Sequence, residues 1–207
     1  MKDTFIKSGG VYRHGNLREA ILITSLQIIA ERGVENLSIR EVAKKTGVTH
    51  QAPYRHFKDK SALLAALAQD GYEKLYVQMN NALEGAQNPL IQLHKLGESY
   101  LLWAFNAPDH FRLMFSHNTP DFAISQDLQT AANNISSLVY AVVGKNQEAN
   151  IIRANTTESI ARQFWAAVHG VSILFINGQF KPLSNDLTQA KLLLDEMMSN
   201  FVQGLKP

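Results

Sequence analysis

Two groups of side chains in this 207-residue chain have the types and the spacing to do chemistry. The first is Thr49-His50-Gln51, with Tyr54 and Arg55-His56 just beyond it and Ser38 and Arg40 upstream. A run of hydroxyl, imidazole and carboxamide groups can donate and accept hydrogen bonds at the polar edges of a partner. The second group is Trp165 and His169, four residues apart and so on one face of a helix. Trp103, Phe111, Met114, Phe115 and Phe122 are further candidates to line a pocket. Together they favour an apolar or aromatic ligand over a strongly anionic one. For each aromatic taken singly the alternative is plain core packing, because helical spacing alone does not separate the two.

Catalysis is the weaker reading. His94 and Glu98 stand at i, i+4, with His110 and His117 farther on. A metal at that spacing needs a third ligand and orienting partners, and none is recognisable. The chain has no cysteine, which removes disulfides, thiolate metal sites and a Cys nucleophile. No phosphate-cradling glycine loop, nucleophile elbow or dinucleotide fingerprint occurs. The chain is expected to be no enzyme and to carry neither metal nor cofactor.

The first group needs two short helices and a tight turn to present it. Asn16 as N-cap and Gly33 as terminator bracket a first, largely core helix. Ser38 with Glu41 forms a capping-box pattern, in which each side chain takes a free backbone N–H of the first turn. Ile39, Val42 and Ala43 face inward from this second helix, while Arg40, Lys44 and Lys45 face out. Ala43 and Gly47 are small enough for a close helix crossing, and Gly47 also suits a left-handed turn. Thr49 then caps a third helix, barely two turns long, that ends at Phe57. Pro53 would cost about 3 kcal/mol in a helix interior and little in the first turn. The helix therefore starts no earlier than about Thr49, which leaves His50, Gln51 and Ala52 facing outward. Phe57 is expected in the core. His56 either packs or touches a phosphate, and Arg18 and Arg55 are either solvated or in phosphate contact.

Charge is distributed unevenly. Residues 1–60 hold eleven Lys or Arg against six Asp or Glu, a balance of +5, and the remainder balances to −3, giving the net +2 of the whole chain. A basic head on an acidic body is what a nucleic-acid-binding protein presents.

At this point the residues resemble a known family. Gly47-Val48-Thr49-His50-Gln51-Ala52-Pro53-Tyr54-Arg55-His56-Phe57, then Lys60 and Ala62-Leu63-Leu64, look like the DNA-binding domain of the TetR family of bacterial transcription regulators. His14-Gly15-Asn16-Leu17-Arg18 and Glu31-Arg32-Gly33 upstream agree with it, so the resemblance covers roughly residues 12–66. It implies a repressor that binds a palindromic double-stranded operator as a homodimer and is released by a small-molecule effector. It also implies that Ser38 and Tyr54 touch phosphates, with Lys60 at the phosphate-favouring N-terminus of helix four. Thr49, His50 and Gln51 would touch base edges, and Arg40 and His56 complete the candidate DNA set. Trp165-Ala-Ala-Val-His169-Gly170 further resembles a subgroup with a Trp-His-Gly signature in its C-terminal domain.

The rest of the chain reads as helices throughout, with no convincing strand. Asp59 caps a long fourth helix from Lys60 to about Gly85. Further helices begin near Asn88, Pro108, Thr119, Thr156 and Asn185, and the one from Thr119 is expected to end at Gly144 before a polar stretch. The expected architecture is all-α with about nine helices: an arm over 1–15, a helix-turn-helix head over 16–60, and an effector-binding and dimerisation body over 61–207. The segment from about Thr156 to Asn177 is apolar nearly all round and must be covered on more than one side. In the family resembled, the last two helices of each subunit pair across the dimer. No run of about 18 uncharged apolar residues occurs, and the first 15 residues lack an apolar core, so neither a membrane span nor a secretory signal is expected and the location is cytoplasmic. The alternative function is a helical ligand-sequestering or interaction protein without sequence-specific DNA binding.

Overall fold

The computed structural model describes residues 16–115, 125–180 and 186–207. The arm of residues 1–15, His117, Phe122, the helix start expected at Thr119 and the one at Asn185 lie outside them. Among the described residues the chain is all-helical: α1 (Leu17–Arg32), α2 (Ile39–Thr46), α3 (Lys60–Ala82), α4 (Pro89–Asn106), α5 (Pro108–Met114), α6 (Gln126–Glu148), α7 (Thr157–Ile176) and α8 (Leu187–Gly204). Two 3-10 turns stand at Val34–Asn36 and Pro53–Arg55. The chain divides into two compact units, one up to Leu67 and one from Ala68, so the division falls inside α3 and not at residue 60.

Local sequence sets the helix ends of the first unit. The Glu19 N–H donates to Asn16 Oδ1 at 3.3 Å, and the Asn16 amide returns a bond to the Glu19 carboxylate at 2.9 Å. Ser38 Oγ accepts the Glu41 N–H at 3.2 Å. Glu41 does not complete the capping box: its carboxylate takes Arg32 Nη1 at 2.6 Å. A charge-assisted bond to guanidinium outcompetes one to a neutral N–H. Gly47 has φ 75° and ψ 27°, with its N–H on the Lys44 carbonyl and the Val48 N–H on the Ala43 carbonyl. This is a Schellman ending, which needs left-handed backbone. A Cβ on Gly47 would meet nothing within 4 Å, so the glycine serves the turn and not a close helix crossing.

The expected third helix is not an α-helix. From Thr49 to Phe57 the backbone makes a succession of tight turns, with Ala52 N–H on the Thr49 carbonyl, Arg55 N–H on that of Ala52 and His56 N–H on that of Pro53. Pro53 has no N–H to give to Thr49, and the Ala52 N–H takes that carbonyl one residue early, at 2.9 Å. Ala52, not Thr49, stands at the cap of the 3-10 turn, without a side-chain hydrogen bond.

In the second unit α4 is the hub, packed against α5, α6, α7 and α8. Its Leu93, Leu96, Leu101 and Ala104 are fully enclosed, and burying each leucine contributes roughly 1.5–3 kcal/mol. Asn88 caps α4 by accepting the N–H groups of Leu90 and Ile91, and Asp186 does the same for α8 with Thr188 and Gln189. The sequence signal fails at the end of α6, which runs to Glu148, beyond the polar residues where a break is expected. Asn146 in that stretch is fully buried, and its amide donates to the carbonyls of Val142 and Pro89, each at 2.9 Å. By length and composition α7 could cross a bilayer. Its Ile160, Phe164, Val168 and Phe175 are instead buried in the helical core.

Candidate nucleic-acid interface and ligand cavity

The first unit exposes Thr49, His50 and Gln51 and then Tyr54, Arg55 and His56, separated by the half-buried Ala52 and the buried Pro53. Pro53 and Phe57 anchor it: Phe57 is 3% exposed, and the Arg18 guanidinium lies 5.8 Å from its ring centroid. Arg18 is thereby placed on an aromatic face. Its neighbours on α1 and α2 pair internally, Lys45 with Glu31 and Arg32 with Glu41, each at 2.6 Å. The Lys45 ammonium holds the Glu31 carboxyl below its usual range. Arg40, Lys44, Arg55 and Lys58 are exposed and take part in no ion pair among the described residues. Arg55 and Lys58 stand within and just after the polar run in sequence, and Arg40 and Lys44 share one face of α2.

Ser38 spends one lone pair on its cap and keeps its hydroxyl proton for an acceptor in solution. Lys60 stands at the start of α3, as expected, and makes a bond within the protein. Its Nζ donates to the Glu35 carbonyl at 2.9 Å, tying the start of α3 to the first 3-10 turn. An ammonium has three protons, so two remain for a phosphate.

The second unit contains a cavity of about 210 Å³. Tyr72 and Leu75 of α3, Tyr100 of α4, Phe115, the α6 residues Ala132, Ile135, Ser136, Val139 and Tyr140, and Ala161, Arg162 and Trp165 of α7 line it. Behind this wall lies a packed aromatic cluster. The His169 ring stacks on Phe111 at 5.5 Å and meets Phe115 edge-on at 4.6 Å. The Tyr100 hydroxyl lies 2.9 Å from His169 Nδ1 and accepts the Trp165 Nε1–H at 3.3 Å. Burial pushes the Tyr100 hydroxyl far above its ordinary range, against a smaller opposing pull from the Trp165 bond, and pushes the Tyr72 hydroxyl up as well. It lowers His169, so both members of the Tyr100–His169 pair are neutral near pH 7.

Of the pocket candidates in the sequence, Phe115 and Trp165 line the cavity. His169 stands one layer behind, and Phe111 and Met114 are buried in the core and do not line it. Trp103 belongs to another cluster, 5.9 Å from the His110 ring, with its Nε1 buried and unpartnered among the described residues. Phe122 falls outside those residues. The imagined metal set is dispersed: Glu98 pairs with Lys191 at 2.6 Å and His110 Nε2 lies 3.9 Å from Asp70. Among the described residues no three His, Asp or Glu side chains converge. Tyr72, Ser136, Tyr140 and Arg162 carry no local signal that separates them from core or surface. Tyr100 does carry one, since a tyrosine on a buried helix face requires a hydrogen-bond partner.

Comparison with known proteins agrees with this geometry. Residues 21–67 match the family model for bacterial regulatory proteins of the tetR family, and residues 93–200 match the model for the tetracyclin repressor-like C-terminal domain. The class C tetracycline repressor protein of Escherichia coli is 46% identical over 52 residues, which are 25% of this chain and 24% of that protein. The chain spans between about a quarter and about half of the length of the curated relatives it matches. Among solved structures, a protein of unknown function from Rhodococcus sp. RHA1 superposes with a TM-score of 0.83 at 27% identity, covering 95% of this chain and 98% of that one. The transcriptional regulator FadR from Bacillus subtilis, solved in complex with stearoyl-CoA, shares the fold at 13% identity and a TM-score of 0.76, covering 90% of this chain and 98% of that one. The two models account for the head and for more than half of the whole chain, and the chain belongs to the TetR family of bacterial regulatory proteins.

Proposed function

We propose that this protein is a transcriptional repressor that binds a palindromic operator as a homodimer and is released by a small molecule held in the cavity of its second unit. The observation that carries the DNA half is the exposed run Thr49-His50-Gln51-Tyr54 in the same unit as the exposed Arg40, Lys44, Arg55 and Lys58, cations without acidic partners among the described residues. Cations bind the phosphate backbone, and the polar run then reads base edges.

The last two helices supply the dimer. Leu174 of α7 is 39% exposed and Leu192 of α8 is 57% exposed. Apolar surface on both terminal helices suits an isologous two-fold pairing. For the effector half, α3 is one unbroken helix that starts at Lys60 and carries Tyr72 and Leu75 into the cavity wall. A ligand that binds better to one placement of α3 shifts the population toward that placement, by no more than its differential affinity. The cytoplasm, where operator DNA is found, is the place of action. The cavity also limits the ligand: at about 210 Å³ it is far smaller than an acyl-CoA requires.

Selection of sites from a random double-stranded pool by the purified protein, followed by mobility shift, tests this. The expected product is a palindrome whose half-sites are centred about one helical turn, roughly 34–36 Å, or a multiple of it apart. A pool that shows no sequence enrichment rules the repressor out and favours a ligand-sequestering role.

A further inference from the structure

Resting on the reading of the cavity as the effector site, we propose that its ligand is a compact uncharged ring bearing one hydroxyl, of the phenol class, and that Tyr100 reads that hydroxyl. Size comes first. An apolar cavity of roughly 150 Å³ holds benzene, so about 210 Å³ holds one ring with one or two small substituents. Trp165 and Phe115 offer aromatic surfaces, and Ile135 and Val139 an aliphatic one.

Hydrogen-bond valence then fixes the polar group. A tyrosine hydroxyl has one proton and two lone pairs. On Tyr100 one lone pair holds the Trp165 Nε1–H, and the proton goes to His169 Nδ1. That direction follows from acid strength, the phenol being the stronger acid and the imidazole nitrogen the stronger base. What remains is a single lone pair, which accepts a ligand O–H and has nothing to offer an ether or a ketone. Charge is disfavoured by the surroundings. Among the described residues the lining is mainly apolar, and its charged side chain, Arg162, is largely exposed to solvent and pairs with Glu158. A carboxylate or ammonium taken in among Phe115, Ile135, Val139 and Trp165 would lose its hydration against carbon.

Isothermal titration calorimetry of the full chain with p-cresol, toluene, 4-methylanisole and p-toluate tests the assignment. The expected order places p-cresol about tenfold or more tighter than toluene and 4-methylanisole, one hydrogen bond's worth of affinity, with p-toluate weakest. Tyr100→Phe, checked for retained helicity by circular dichroism, should bring p-cresol down to the affinity of toluene. Ala132→Phe should fill the cavity and abolish binding of all four. Tightest binding by p-toluate overturns the uncharged class, and parity of 4-methylanisole with p-cresol overturns the donor assignment. Absence of binding by p-cresol at millimolar concentration overturns the phenol class. The effector-site reading fails separately, if p-cresol binds Ala132→Phe as tightly as wild type.

Discussion

The hydroxyl of Tyr100 on α4 and Nδ1 of His169 on α7 lie 2.9 Å apart, and Trp165, one turn before His169, delivers its indole N–H to the same oxygen at 3.3 Å. Two aromatic residues of one helix thus converge on a single atom of another. Replacing Tyr100 by Phe keeps the ring and removes that atom, leaving an indole N–H and an imidazole nitrogen without their partner. The expected loss is roughly 1–3 kcal/mol of stability, read as a lowered midpoint in urea with an unchanged m-value. An unchanged midpoint would mean that solvent replaces both bonds at no cost.

Acid should weaken the protein partly through His169. Its folded pKa lies below the ordinary value because burial disfavours the imidazolium. The unfolded chain, with histidine near 6.5, therefore binds the proton that the native state resists. Stability is unaffected by this group above about pH 6.5 and declines as the pH falls below it. His169→Gln should flatten that decline, while the carboxylates, common to both proteins, drop out of the difference. Parallel urea midpoints for the two proteins between roughly pH 7 and pH 5 would show that His169 titrates normally.

Side chains of the head should separate into two kinds when bound to a selected operator. Gln51→Ala and His50→Ala should change which base is preferred, at about 1–3 kcal/mol for each lost base contact. Lys44→Ala and Arg40→Ala should weaken all sequences alike and reduce the salt dependence by about one unit of slope for each phosphate contact removed. Competition mobility shifts at several salt concentrations distinguish the two patterns. Uniform weakening by Gln51→Ala would move that residue to the backbone-contacting class.

Two glycines should respond to alanine for different reasons. A Cβ on Gly71 would lie 2.5 Å from Met114 Sδ and 2.8 Å from His110 Nε2, both in buried side chains. Gly71→Ala should cost roughly 1–3 kcal/mol through overpacking, and the double variant with Met114→Ala should lose less than the sum of the single losses. Gly47→Ala meets no neighbour and should cost about 1–2 kcal/mol from left-handed backbone alone. Thermal melts of these four variants and wild type provide the comparison, and strict additivity at Gly71 and Met114 would argue against the clash.

Helix positions were legible because their signals are local. Asn16, Ser38 and Asp59 each accept a first-turn N–H where the pattern places a cap, and Asn88 does so at an expected helix start. Two elements departed from the pattern for reasons that reach beyond a few residues. The Arg32 guanidinium, nine positions away, draws Glu41 off its capping role, and the Pro89 carbonyl gives Asn146 a buried partner that keeps α6 running. The cavity was legible only in part. Trp165 and Phe115 are large aromatics and stand out by type. Which aromatics line space and which fill it depends on helix packing, and spacing along one helix does not encode that. Phe111 and Met114 are therefore core although their residue types match those of the wall.

The convergence of Trp165 and His169 on Tyr100 gives the cavity one stiff part. Sliding α4 along α7 would break two hydrogen bonds at once, so those helices act as an anvil. Leu75, Ile135 and Val139 add aliphatic carbon to the lining, where dispersion contacts tolerate small displacements. A shape change in anything lodged there is absorbed first by the aliphatic contacts, while the Tyr100–Trp165–His169 junction keeps its register.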